Sequence, residues 1–213
     1  MNLPHFDLPL VAILRGLAPE HADMVGRILF EAGFRLIEVP LNRPGAIEAM
    51  RTIRALAPAD ALVGGGTMLT VADVDAVADA GGQIFVAPNC NPPVIARAAA
   101  RGLLCAPGVA TPSEAFAALD AGAHILKLFP AEMIGPAGLK AMKSVLPDGT
   151  PLWPVGGVVP EQIADWKAAG AAGAGIGGAL FTPGVAPDEL ARRAQAFVAA
   201  WIKKGETEVS PRE

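Results

Sequence analysis

One pattern recurs along the chain and limits its fold more than any other feature. A short apolar run leads into a loop bearing glycine or proline, then into an alanine-rich amphipathic stretch that ends in glycine. The endings read EAGF, DAGG, AARG, DAGA and KAAG, around Gly33, Gly81, Gly102, Gly122 and Gly170. Glycine directly after a helical pattern is the residue expected at a helix C-terminus, where the backbone turns through the left-handed region. Gly81 to Gly102 is 21 residues and Gly102 to Gly122 is 20, while Gly33 to Gly81 and Gly122 to Gly170 each span 48, or two units of 24. A unit of that length holds one strand, one helix and two short loops.

Unit by unit, the pattern predicts strands at Leu10–Gly16, Leu36–Leu41, Ala61–Thr67, Ile84–Asn89, Leu103–Val109, His124–Pro130, Leu152–Val158 and Ala172–Leu180. Helices are expected near 19–32, 45–57, 71–80, 92–101, 112–121, 136–146, 160–169 and 187–203. Strands that are apolar on both faces and alternate with helices belong to parallel α/β folds. Eight units favour closure into a single, compact (β/α)8 barrel spanning 1–213. An open, doubly wound sheet is the alternative. The polar ending KKGETEVSPRE is expected to fray over about 205–213.

Composition narrows the function. The chain is 52% hydrophobic and 18% charged with a formal charge of -4, so it predicts a large core and no basic surface for nucleic acid or acidic lipid. Two cysteines, Cys90 and Cys105, without a CxxC motif fit a reduced, cytoplasmic protein better than a disulfide scaffold or a zinc site. The opening MNLPHFDLPLVAILRG makes a poor signal peptide. The apolar stretch AAGAAGAGIGGALF is glycine-rich and too short to span a membrane.

Against this background a few polar residues stand out. Lys127 lies inside the apolar strand HILKLFP and shares a face with Ile125 and Phe129. The other five lysines, Lys204 among them, fall on helices or the tail. Burying an ammonium is costly unless it is paired or loses its proton, and a desolvated amine can attack a ketone to form a Schiff base. The competing explanation is a structural lysine in a buried ion pair.

Glu38 interrupts the strand LIEVP in the same way. It is either the general acid/base beside that amine or the charge that neutralises it. Arg15, on the parity of Val11 and Ile13, ends the first strand, where a guanidinium can grip a carboxylate or form a salt bridge. Thr67 follows GGG at the end of the third strand and offers a hydroxyl.

The glycine clusters PVGGV and GIGGAL fall on the seventh and eighth expected strands, where barrels often bind phosphate through backbone N–H groups. Tight packing of small residues is the alternative. GAGIGG does not match a dinucleotide fingerprint. No metal-ligand spacing joins His5, His21 and His124, and there is no GxSxG elbow.

The motifs AILRG, GFRLIEVPLN, VGGGTML, PGVATPSEAF, LKLFPAE and PVGGV, in this order, resemble the 2-keto-3-deoxy-6-phosphogluconate (KDPG/KHG) aldolase family from about residue 8 to about 200. The resemblance implies a trimeric, class I (β/α)8 aldolase that needs no metal or organic cofactor. It makes Lys127 the Schiff-base lysine and Glu38 the acid/base. It places Arg15 on the carboxylate of the pyruvyl half and Thr67, Pro88 and Phe129 in the pocket. Gly156, Gly157, Gly177 and Gly178 become the phosphate-binding backbone.

Pro40, Asn42 and Val155 look like the branch acting on 2-dehydro-3-deoxy-6-phosphogalactonate, with pyruvate and glyceraldehyde 3-phosphate as products. The gluconate-type and 4-hydroxy-2-oxoglutarate activities are the alternatives. Two departures are visible. Asn42 stands where the gluconate branch has an arginine, leaving Arg43 to reach the phosphate, and Gly178 stands where the family commonly has serine. A phosphate-binding barrel of another reaction class, or a sensor without catalysis, would use the same glycines without needing Lys127 as a nucleophile.

Overall fold

Parallel strands carry the molecule, and helices cover their outer faces. The computed structural model describes residues 5–203; the expected fraying of 205–213 lies outside them, as does Lys204. The strands are β1 (Leu10–Ile13), β2 (Leu36–Pro40), β3 (Leu62–Gly66), β4 (Ile84–Val86), β5 (Leu104–Ala106), β6 (Gly108–Val109), β7 (Leu126–Leu128), β8 (Leu152–Pro154) and β9 (Ala174–Ile176). The helices are α1 (Ala22–Glu31), α2 (Ala46–Leu56), α3 (Val71–Asp79), α4 (Pro92–Ala100), α5 (Pro112–Asp120), α6 (Ala131–Lys143), α7 (Ile163–Ala168) and α8 (Pro187–Ile202).

All ladders are parallel, as the repeated unit implies. Six strands pair in the order β5-β4-β3-β2-β1-β9, and three in the order β6-β7-β8. Bonds also run between the two sheets. The Ile125 N–H donates to the Cys105 carbonyl at 3.0 Å, and the Ala172 N–H donates to the Leu152 carbonyl at 3.1 Å. Val155 and Gly175 form a parallel bridge.

Sequence explains the local geometry. The five helix-ending glycines sit at φ of 104°, 85°, 74°, 99° and 97°, the left-handed conformation that stops each helix and turns it toward the next strand. Helices α3 and α5 begin with capping boxes, Thr70 with Asp73 and Thr111 with Glu114. In β3, a side chain on Gly64 would strike the Ile84 backbone, so glycine is what lets β3 and β4 approach.

The strands are shorter than expected because their ends leave the ladders to form loops. Pro107, which has no N–H, divides the expected strand Leu103–Val109 into β5 and β6. The expected strand Ala172–Leu180 stops at Ile176; the Gly177 carbonyl then accepts from the Leu180 and Phe181 N–H groups, bending the chain into a helical turn. Helix α6 starts at Ala131 rather than near 136, but it breaks at Gly135 (φ 69°), directly before Pro136. Proline disfavours helical geometry in the residue before it, and glycine absorbs the change. The first and seventh expected helices each open with a short 3-10 turn, at Pro19–His21 and Pro160–Gln162.

Side chains divide by strand parity. Leu10, Ala12, Ile37, Val63, Phe85 and Leu126 face the helices. Val11, Ile13, Leu36, Ile84, Ile125 and Trp153 belong to a second cluster on the opposite, concave face of the strands, with Phe6 packed against it. Each fully buried Leu, Ile or Phe contributes roughly 1.5–3 kcal/mol. Among the described residues, only Glu38 and Lys127 are both charged and buried. Also among the described residues, no helix is long and apolar enough to cross a membrane.

Candidate active site

Parity aims Lys127 inward. Its neighbours in the strand, Leu126 and Leu128, are fully buried toward the helices, so Lys127 takes the inner face with Ile125 and Phe129. In register it stands between Gly108 of β6 and Trp153 of β8. It is 6% exposed, with its Nζ 5.0 Å from the centre of the Phe129 ring. The ring face offers the amine an electrostatic partner without a counter-ion.

Glu38 reaches the same interior from β2, opposite Ile13 of β1 and Gly64 of β3. It is 1% exposed, and its Oε2 has no hydrogen-bond partner among the described residues. Glycine at 66 makes room for it, because a β-carbon there would occupy the place of the carboxylate. Glu38 and Lys127 line a chamber of about 20 Å³ together with apolar side chains, yet no salt bridge or hydrogen bond joins them. The alternative of a buried ion pair in contact is therefore not what forms.

The two groups still feel each other. Burial pushes the Lys127 amine below the ordinary lysine range; the Glu38 charge partly offsets this and the Arg15 charge adds to it. Burial pushes the Glu38 carboxyl up, opposed by the charges of Lys127 and Arg15. The pair is tuned by desolvation first and by Coulombic interaction second.

Above Lys127 a cavity of about 560 Å³ opens at the C-terminal ends of β7, β8, β9 and β1. Arg15, Phe129, Val155, Gly156, Gly157, Gly177 and Gly178 line it with Lys127, as expected. Arg15 is exposed and makes no ion pair among the described residues, and in particular none with Glu38. Gly156 and Gly157 take φ of 105° and 67°, which suits glycine alone at low cost, and they turn against Glu132. Gly177 and Gly178 face open space. No backbone carbonyl among the described residues accepts from the N–H groups of Gly157, Gly178 or Ala179. These unpartnered donors form a rim suited to an anion.

Thr67 and Pro88 lie just beyond the ends of β3 and β4 but do not line this cavity. Thr67 has φ 54°, rare for a β-branched residue and characteristic of functional sites. Arg43 lies elsewhere: its side chain packs beside Gly16 and Pro183 and lines a neighbouring cavity. Phe181, Thr182 and Pro183 complete the wall. Sequence reading missed them by extending the last strand to Leu180. The LFTPG turn beside the glycine cluster was the available signal. Among the described residues, no group of three His, Cys, Asp or Glu side chains is placed to hold a metal ion.

Comparison with known proteins agrees with this geometry. The family model for KDPG and KHG aldolase matches residues 6–193. A Rhizobium meliloti (strain 1021) protein named probable 2-dehydro-3-deoxy-6-phosphogalactonate aldolase is 46% identical over 199 residues, covering 93% of this chain and 94% of that one. The 2-dehydro-3-deoxy-6-phosphogalactonate aldolase of Escherichia coli (strain K12) is 44% identical over 194 residues, covering 91% and 95%. A solved structure described as "Native KDPGal structure" superposes with a TM-score of 0.91 at 43% identity, covering 94% of this chain and 97% of that one. The buried lysine, the glycine rim and the match across nearly the whole chain lead to one assignment: the chain belongs to the KDPG and KHG aldolase family.

Proposed function

We propose that this chain is a class I aldolase that cleaves 2-dehydro-3-deoxy-6-phospho-D-galactonate to pyruvate and D-glyceraldehyde 3-phosphate. The observation that carries the reading is Lys127, a desolvated amine at the floor of a cavity with a rim of free N–H donors. The unpartnered rim favours a phosphorylated substrate over 4-hydroxy-2-oxoglutarate, which has no phosphate. The names of the relatives at 46% and 44% identity support the galactonate branch over the gluconate one.

In this reading Lys127 Nζ adds to the C2 ketone, and loss of water leaves a protonated imine. Arg15 grips the C1 carboxylate, with Thr67 and Pro88 at the neighbouring strand ends. Glu38, through a water, takes the proton of the C4 hydroxyl. The C3–C4 electron pair moves into the imine to give an enamine as the C4 aldehyde forms, and glyceraldehyde 3-phosphate departs. Protonation at C3 and hydrolysis free pyruvate and restore the amine. Phe129 covers the imine, Val155 faces the carbinol carbons, and Gly156, Gly157, Gly177 and Gly178 hold the phosphate.

The two sheets are read as one closed (β/α)8 barrel, supported by the bonds of Ile125 to Cys105 and Ala172 to Leu152. The trimer implied by the family has support in exposed apolar side chains, Leu69, Val71 and Phe116, that suit a second copy. The free thiols Cys90 and Cys105 fit the reducing cytoplasm.

The test is covalent capture. Borohydride added with pyruvate is expected to leave a reduced pyruvyl adduct on the peptide carrying Lys127, seen by mass. An unmodified Lys127 peptide would overturn the reading. Pyruvate release from the two C4 epimers, side by side, decides the branch.

A further inference from the structure

We propose that Thr182 binds the phosphate of the substrate, its hydroxyl replacing the one that Gly178 cannot supply. The inference rests on the aldolase reading and adds a residue to its anion site.

Hydroxyl use separates the threonines. Of the six among the described residues, four spend their side-chain oxygen locally. Thr52 donates to the Glu48 carbonyl and Thr150 to the Pro147 carbonyl, while Thr70 and Thr111 cap helices. Only Thr67 and Thr182 have hydroxyls with no partner among the described residues; Thr67 directly follows β3, whereas Thr182 lies in the loop between β9 and α8 and lines the cavity. Thr182 is exposed and lines the cavity wall beside Gly177, Gly178 and Ala179.

Its backbone is fixed on both sides. Phe181, just before it, is 5% exposed and donates its N–H to the Gly177 carbonyl at 3.0 Å. Just after it, the Thr182 carbonyl accepts from the Val185 N–H at 3.0 Å, closing a turn with Pro183 second and Gly184 third at φ 82°. That is the residue pattern of a type II turn. A free hydroxyl on a fixed turn, beside unpartnered N–H groups, is a ready donor to a phosphate oxygen. The wall at Gly177 and Gly178 carries no side chain and no hydroxyl of its own.

The experiment compares Thr182→Ala and Thr182→Ser in the condensation direction, with pyruvate as donor and either D-glyceraldehyde 3-phosphate or unphosphorylated D-glyceraldehyde as acceptor. Losing one hydrogen bond to a charged group is expected to raise KM for the phosphorylated acceptor roughly tenfold or more. KM for glyceraldehyde and the rate of borohydride capture of pyruvate should stay at wild-type values, and Thr182→Ser should restore phosphate binding. An equal loss with both acceptors, no loss with either, or a serine variant as poor as alanine would overturn the role of Thr182. Failure of capture at Lys127 in the wild-type protein would instead overturn the aldolase reading, so the two failures are distinguishable.

Discussion

A β-carbon on Gly66 would fall on Oε2 of the buried Glu38 carboxylate. The third glycine of GGG is therefore the seat of Glu38. Gly66→Ala should displace the carboxylate and lower kcat on the order of 10²-fold, close to the effect of Glu38→Gln. Overpacking should also cost about 1–3 kcal/mol. Pyruvate release and urea denaturation measure the two effects. An alanine variant with wild-type kcat would mean that Glu38 does not act from this position.

The charges around Lys127 make opposite predictions for pH. The amine must be neutral to attack, so the rate of pyruvate capture should rise as pH rises through the Lys127 pKa. The Glu38 charge raises that pKa and the Arg15 charge lowers it, both on top of the larger lowering by burial. Glu38→Gln should shift the midpoint of capture to lower pH, and Arg15→Ala should shift it to higher pH. Because the groups are coupled, the measured midpoints belong to the cluster. Shifts of the same sign in both variants would contradict the arrangement.

Stability away from the mouth should respond without touching chemistry. Thr111 caps α5 by accepting from the Glu114 N–H at 3.3 Å, while the Glu114 carboxylate accepts from the Ala110 and Thr111 N–H groups at 2.9 Å each. Thr111→Ala should cost about 1 kcal/mol of unfolding free energy. The urea midpoint should fall while KM for the substrate remains unchanged.

Much of this was legible in the sequence, for a physical reason. The repeat of apolar run and terminal glycine writes the strand and helix order, because a strand buried on both faces and a helix ended by glycine leave distinct patterns. Parity then placed Lys127, Phe129 and Glu38 on one face of the strands, with Arg15 at its mouth. Less visible were the ends of strands, where pairing stops for tertiary reasons. Pro107 splits one strand, and the Gly177 carbonyl turns the last into a helical bend. Thr182 was hidden by that second error, since its place on the wall depends on the bend. The reach of Arg43 was not legible either: sequence puts it just after β2, and only packing against Gly16 and Pro183 takes it away from the main cavity.

Val155 carries the last prediction. It follows β8, is 8% exposed, and lines the cavity beside Gly156. Its packing partner is Gly175, where a β-carbon would come within 2.7 Å of Val155 Cγ2, so the position admits a side chain of valine's size and little more. Threonine has that shape and differs by a hydroxyl in place of a methyl group. Val155→Thr should therefore fold normally while adding a donor that can reach a hydroxyl of one C4 epimer. A site that hydrogen-bonds a substrate hydroxyl discriminates against the analogue that cannot meet it. The ratio of kcat/KM for the galacto over the gluco epimer should fall by roughly tenfold, in keeping with about 1.4 kcal/mol for one hydrogen bond. Pyruvate release from the two epimers measures the ratio. An unchanged ratio would remove Val155 from the recognition of C4 and leave epimer choice to the strand-two segment around Pro40 and Asn42.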